Sequence, residues 1–347
     1  MTRVLLVDDS ASARLALRRL LAEDGFDVVG EASTGDEALR LVAQLRPDLV
    51  TMDVFLAGQD GVEVTRGILA KHRCRVVIVT GLDPSRANLA FRAMAAGALD
   101  VLCKPSFSNH EHSARQRQRF VGALKTLATV DLVGRRTAQS GFIAPTADHE
   151  LHRIVALGAS TGGPAVLAQI LAGLPRPFPV PVLIVQHIDV GYDRGLADWL
   201  STTGHDCRVV ETTTEPEAGR VYLASGSAHM TMAESGRLVP VAGPPRRFQL
   251  PSVDVLFESL AKARAHRLFA ALLTGMGDDG AEGLLALRQK GAETVVQSPV
   301  SCVVSGMPDA ALRISAARQS LDPDAVANAI RLFAEVTTHH TQAVNHP

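Results

Sequence analysis

At 347 residues the chain is long enough for two domains of ~100 to 200 residues, each able to bury a full core. A formal net charge of -1, with no zinc-finger spacing and no long basic stripe, argues against direct nucleic-acid binding. No segment approaches the ~18 apolar residues that span a bilayer, and the apolar run after Met1 is too short for a signal-peptide core, so no transmembrane segment and a cytoplasmic location are expected.

In the first 130 residues, short apolar runs alternate with amphipathic stretches. Val4 to Val7, Val28 to Val29, Leu49 to Met52, Val76 to Val79 and Val101 to Leu102 read as buried strands, with helices near residues 11–22, 36–44, 62–71 and 85–96. Such alternation predicts a parallel sheet covered on both faces, with ligands bound beyond the carboxyl ends of its strands. Polar residues stand at those ends: Asp8 and Asp9 after the first strand, Asp53 after the third, Thr80 closing the fourth and Lys104 after the fifth. Three carboxylates converging on one cleft repel one another unless a cation neutralises them, and magnesium suits an all-oxygen set better than zinc. Aspartates that merely cap helices explain one such pair, as Asp8 and Asp9 before Ala11, but not the whole set.

With these residues in place, residues 1–130 resemble the receiver domain of two-component response regulators, a flavodoxin-like (βα)5 fold. The resemblance implies phosphorylation of Asp53 by a CheA-type histidine kinase, Mg2+ held by Asp8, Asp9 and Asp53, phosphoryl contacts from Thr80 and Lys104, and a cis Lys104-Pro105 bond. Leu56 and Ala57 replace the family's usual Met-Pro pair, and Val101 replaces its common aromatic residue.

Glu111 to Asp131 reads as a last receiver helix. Residues 131–152 lose all periodicity and read as a linker rich in Gly, Pro, Ser, Thr and charge. The four cysteines, Cys74, Cys103, Cys207 and Cys302, form no C-x-x-C pair and read as core-filling residues.

Residues 153–340 again alternate strands and helices. Ile154 to Leu157 is an expected strand running into Gly158-Ala-Ser160-Thr-Gly-Gly-Pro164, a sharp turn with a proline at the helix start. The turn matches G-x-S-x-G, but glycine-rich strand-to-helix turns also bind phosphates or simply pack closely. Further strands are expected at Val182 to Val185, Val221 to Ala224, Leu238 to Val241 and Leu268 to Leu273, with helices at residues 191–200, 253–265 and 281–289. Ser160, His187 and the pair Asp278-Asp279 each follow an apolar strand, so a parallel sheet projects all three at one edge. A serine hydroxyl needs an imidazole to take its proton, and the imidazole needs a carboxylate to fix its tautomer. Taken singly, His187 reads as a structural histidine and the aspartates as helix caps. The chain order Ser, His, Asp differs from that of the α/β-hydrolases.

The strings GASTGGP, VQH, PSVDVLF, LTGMGDDG and SCVVSGMP together resemble the catalytic domain of the CheB chemotaxis methylesterases, a Rossmann-like doubly wound α/β fold. That resemblance implies Ser160 as nucleophile, His187 as general base, Asp279 as its orienting carboxylate and the Met276 N–H as an oxyanion donor. It also implies hydrolysis of glutamyl methyl esters on methyl-accepting chemoreceptors, glutamine deamidation, no cofactor for the esterase step, and a receiver that covers the catalytic cleft until phosphorylated. Asp278 stands where the family commonly has asparagine, and the segment Ile188 to Asp193 departs from the family's usual residues. Two other readings remain open: an output domain that binds a partner without catalysis, and a serine esterase acting on another substrate.

Overall fold

The computed structural model describes residues 1–81, 87–107, 111–130, 152–263 and 266–335. They fall into two compact units, Met1–Gly134 and Arg135–Pro347. The expected linker lies outside the described residues except for His152.

In the first unit the elements are β1 (Arg3–Val7), α1 (Ala11–Glu23), β2 (Asp27–Ala32), α2 (Gly35–Leu45), β3 (Leu49–Met52), a small hairpin of β4 (Phe55–Leu56) and β5 (Gln59–Asp60), α3 (Gly61–Lys71), β6 (Arg75–Thr80), α4 (Ala87–Ala95), β7 (Val101–Cys103) and α5 (Glu111–Ala128). The five main strands are parallel in the order β2-β1-β3-β6-β7. β1, β3 and β6 are buried nearly throughout, which is why they read as continuous apolar runs. The helices start where side chains cap them: Ser10 Oγ accepts the Ala13 N–H, Thr34 Oγ1 the Glu37 N–H, and Asp60 Oδ1 the Val62 N–H. The Lys104-Pro105 bond, expected to be cis, is not; the cis bonds among the described residues precede Pro177 and Pro251.

The second unit runs β8 (His152–Ala159), α6 (Gly163–Ala172), β9 (Val182–Gln186), α7 (Asp193–Ser201), β10 (Asp206–Val210), β11 (Arg220–Ala224), β12 (His229–Met232), β13 (Leu238–Val241), α8 (Val253–Lys262), β14 (His266–Leu272), α9 (Ala281–Gln289), β15 (Glu293–Gln297), α10 (Gly306–Arg313), β16 (Gln319–Leu321) and α11 (Pro323–Glu335). Seven strands form one parallel sheet in the order β10-β11-β9-β8-β14-β15-β16. β13, read from sequence only as a strand, lies outside that sheet in an antiparallel hairpin with β12.

Alternate strand residues divide the core. Ile154, Ala156, Leu183, Val185, Ala270 and Leu272 pack with Leu256, Phe257 and Leu260 of α8 and Leu284 and Leu287 of α9. On the opposite face α6 and α11 pack together. Arg153 ties α11 to the sheet: its Nη1 donates to the carbonyls of Phe333 and Ala334 at 2.6 and 3.2 Å, and its guanidinium lies 5.7 Å from the centroid of the Phe333 ring. The chain leaves β8 toward β9 on one side and places β14 on the other, so the crevice at their carboxyl ends is the topological switch point of the sheet. Among the described residues no helix is long and apolar enough to cross a membrane.

Replacing Arg153 by Leu removes the guanidinium donor from two carbonyls at the end of α11. The expected result is a loss of about 1 to 3 kcal/mol in the urea unfolding transition of the second unit, with that of Met1–Gly134 unmoved.

Candidate active site

Parallel register aligns the reactive groups before any side chain is considered. Ala159 pairs with Gln186 across β8 and β9, so the next residues, Ser160 and His187, leave neighbouring strands abreast, and the His187 N–H donates to the Ala159 carbonyl at 3.0 Å. On the other side of β8 the Ser160 N–H donates to the Thr274 carbonyl at 2.9 Å, beyond the end of β14. Gln186, buried at the end of β9, donates from Nε2 to the Ser160 and His187 carbonyls at 2.9 and 3.0 Å. The Ser160 backbone is thereby held on both flanks. The turn after it needs glycine at position 162, where φ is +76° and a Cβ would stand 2.5 Å from that of Val303.

His187 Nε2 lies 2.7 Å from Asp279 Oδ2, and both side chains are almost fully buried. An N–H at Nε2, directed to the carboxylate, leaves Nδ1 with a free lone pair; Nδ1 is buried without a hydrogen-bond partner, as a base awaiting a proton would be. Asp279 also accepts from Ser252 Oγ at 2.8 Å, the Val253 N–H at 2.7 Å and the Asp254 N–H at 3.2 Å. The carboxylate thus sits on the N-terminus of α8. Burial works to raise its pKa, but the hydrogen bonds from His187, Ser252 and Val253 outweigh it and hold the carboxyl below its ordinary value.

Met276 lies in the turn after β14, 38% exposed. The preceding glycine is required by contact: a Cβ on Gly275 would come within 2.6 Å of the Ser160 Cβ and would strike Met307 Sδ. The backbone leading to Met276 therefore runs against the serine side chain. Thr274 fixes this turn, its Oγ1 lying 2.9 and 3.1 Å from the Thr161 and Val304 carbonyls and accepting the Val304 N–H at 3.0 Å. Asp278 points outward, and Arg247 Nη1 pairs with it at 3.0 Å, offsetting its charge beside Asp279. At the close of the divergent segment Ile188 to Asp193, Asp193 Oδ2 accepts from Ser225 Oγ and the Gly226 N–H at 3.0 and 2.9 Å.

Thr274, Gln186, Ser252 and Asp254 were not singled out from sequence. Ser252 and Asp254 lie in the PSVDVLF string, where the serine ahead of an amphipathic helix was legible as a cap but not as a donor to a distant carboxylate. Asp254 is fully buried; Oδ1 accepts the Gly283 N–H at 2.7 Å and Oδ2 has no hydrogen-bond partner. Burial first, then the neighbouring Asp279 charge, push its pKa up to about 6, while the Gly283 N–H, Arg246 and Arg247 act in the opposite sense.

In the first unit the Asp8, Asp9 and Asp53 carboxylates offer oxygens within 4.8 Å of one another, Asp8 and Asp53 buried and Asp9 exposed. Lys104 Nζ lies 2.7 Å from Asp8 Oδ2 and 2.5 Å from Asp53 Oδ2. Burial pushes the Asp53 pKa up against the pull of Lys104. Thr80 is buried at the end of β6, beside Lys104, whose N–H donates to its carbonyl at 2.8 Å. Every site residue expected from sequence in this unit thus stands at the one sheet edge. An all-carboxylate set with one exposed member fits a hard cation that keeps waters.

A family model for the CheB methylesterase matches residues 155–330, and one for the response regulator receiver domain matches residues 4–114. The chain belongs to the CheB methylesterase family. A protein-glutamate methylesterase/protein-glutamine glutaminase of Geobacter metallireducens is 40% identical over 344 residues, 96% of this chain and 99% of its own. One of Anaeromyxobacter dehalogenans is 41% identical over 340 residues, 96% of this chain and 99% of its own. The solved CheB methylesterase catalytic domain of Thermotoga maritima covers 53% of this chain and 98% of its own length at 29% identity, with a TM-score of 0.50. Of the four cysteines read as core-filling, only Cys74 is buried, Cys103, Cys207 and Cys302 being half-buried; burial pushes the Cys74 and Cys207 thiols up to about 11, far from a reactive thiolate.

Because the folded Asp254 holds a proton that the unfolded chain has lost, its stabilising effect is complete below about pH 4 and vanishes as pH rises through about 6. Asp254→Asn keeps a neutral acceptor for Gly283 at every pH. Its urea unfolding free energy is expected to exceed that of the parent above pH 6 by up to about 3 kcal/mol, the difference shrinking toward pH 4.

Proposed function

We propose that this protein hydrolyses glutamyl methyl esters on methyl-accepting chemoreceptors and deamidates glutamines there, under the control of phosphorylation at Asp53. The activity named in its relatives supports this reading, and the observation that carries the mechanism is the buried 2.7 Å contact of His187 with Asp279 at the strand end beside Ser160. Ser160 Oγ attacks the ester carbonyl while His187 Nδ1 takes its proton. Methanol leaves as His187 returns that proton, and water, activated by the same imidazole, releases the glutamate. For an amide the leaving group is ammonia. The Met276 N–H stabilises the oxyanion, an interaction typically worth about 2.7 to 4 kcal/mol. No cofactor takes part in these steps.

Residues 1–130 act as the receiver, 131–152 as linker and 153–340 as catalytic domain. Asp8, Asp9 and Asp53 would hold Mg2+, which supplies charge neutralisation for the phosphoryl group, and a CheA-type histidine kinase is the phosphodonor. Lys104, already on Asp8 and Asp53, and the Thr80 hydroxyl are the partners for the added oxygens. The unphosphorylated receiver occludes the cleft; moving such a switch from mostly closed to mostly open takes a differential of ~5.5 kcal/mol. Between a glycine-rich phosphate cradle and an esterase turn, the esterase is favoured, since the Ser160 turn lacks the Lys-Ser/Thr end of a P-loop.

Ser160→Ala is expected to abolish methanol release from methylated receptors, and Asp279→Asn to lower kcat by about four orders of magnitude, as wrong-tautomer variants of other serine triads do; retained turnover in Ser160→Ala refutes the mechanism. Deleting residues 1–130 is expected to raise basal methanol release, and Asp53→Asn to remove the response to a small phosphodonor with magnesium. A truncated enzyme no faster than the intact one rules out occlusion.

A further inference from the structure

The segment between β13 and α8 is built as a hairpin whose tip is aromatic. His229 clamps its base: Nε2 bonds the Pro244 carbonyl at 3.1 Å and Nδ1 accepts the Ser252 N–H at 3.1 Å. Near the tip Arg246 and Gln249 exchange both backbone hydrogen bonds, at 3.0 and 2.8 Å, leaving Arg247 and Phe248 as a two-residue turn. Both have positive φ, 47° and 67°, the pattern of a type I′ turn, which is ordinarily filled by Asn-Gly or Asp-Gly. The side chains hold this turn against that preference. Arg246 forks onto the two oxygens of Glu258 at 2.6 Å each, and Arg247 bridges Asp278 at 3.0 Å and Glu282 at 2.5 Å. Through Asp278 on one side and Ser252 on the other, the hairpin is joined to both neighbours of the Asp279 carboxylate.

Phe248 is 77% exposed, the most exposed large apolar side chain among the described residues after Met1. Strained backbone clusters at active sites and ligand clamps, and here it presents an exposed ring. The adjoining charges are paired within the protein, so the tip offers an incoming chain an apolar contact, with Met276 exposed on the same turn as Asp278. We propose that Phe248 is a specificity-determining residue that packs on an apolar side chain of the receptor polypeptide flanking the esterified glutamate. This rests on the function proposed above; a substrate too small to reach the tip bypasses the contact.

Phe248→Gly suits the turn, so the variant is expected to unfold at the same temperature as the parent or higher. The full-length protein and the variant are compared on methylated receptor, by methanol release, and on the methyl ester of an N-acetylglutamate amide. The expected result is a rise in KM for receptor that exceeds any change on the small ester by about tenfold, with kcat held, and partial recovery in Phe248→Leu. Equal effects on the two substrates overturn the proposal, as does faster turnover of both, which would place the ring against the protein's own receiver. If the parent cleaves the small ester but not the receptor, the proposed function itself falls, and this contact with it.

Discussion

The catalytic half of the protein depends on one buried carboxylate. Asp279 is withdrawn from water and yet kept ionised, because His187, Ser252 and two backbone N–H groups at the start of α8 all donate to it. Leaving such a charge unpaired in a dry site costs several kcal/mol, so the donors and the charge hold one another in place. The start of α8, the turn after β14 and the end of β9 consequently meet at one point. Asp254 sits beside this cluster without competing for it, since burial and the Asp279 charge keep it protonated to about pH 6. Between about pH 4 and 6 these two neighbouring carboxylates therefore take opposite states, set by burial and by the number of donors each receives.

The receiver repeats the problem with the opposite solution. Asp8 and Asp53 are buried with few backbone donors, and a side-chain cation, the Lys104 ammonium, offsets their charge from the end of the last strand. A site built this way can accept further negative charge together with a metal ion, whereas the Asp279 site is closed by its donors.

Around Asp279 the surface is braced by ion pairs. Asp278 adds a charge beside the buried Asp279 carboxylate, and Arg247 answers it from a turn in which two non-glycine residues adopt the left-handed region. Such conformations cost of order 1 to 3 kcal/mol each, an expense that the two arginine forks help to offset. Asp278, next to Asp279, and the strained hairpin are therefore coupled parts of one rim.

Much of this was legible in the sequence because parallel sheets have a simple grammar. Buried strands read as apolar runs, and the residues just past each strand lie at the carboxyl edge, so Ser160, His187, Asp279, Asp53 and Lys104 are all marked by position along the chain. Local chemistry also set the helix starts at Ser10, Thr34, Asp60 and Ser252. What the chain could not announce is which strands are neighbours: the order that puts β8 between β9 and β14, and so places Ser160 at the switch point, is decided by packing between residues more than a hundred positions apart. The same holds for β13, whose apolar run fits a central strand but pairs with β12 in a separate hairpin. Asp254 and Phe248 show the limit most clearly. An aspartate inside a helix start and an aromatic beside two arginines carry no local sign of a raised pKa or a left-handed turn, because desolvation and backbone strain are properties of the assembled surroundings, not of the residues themselves.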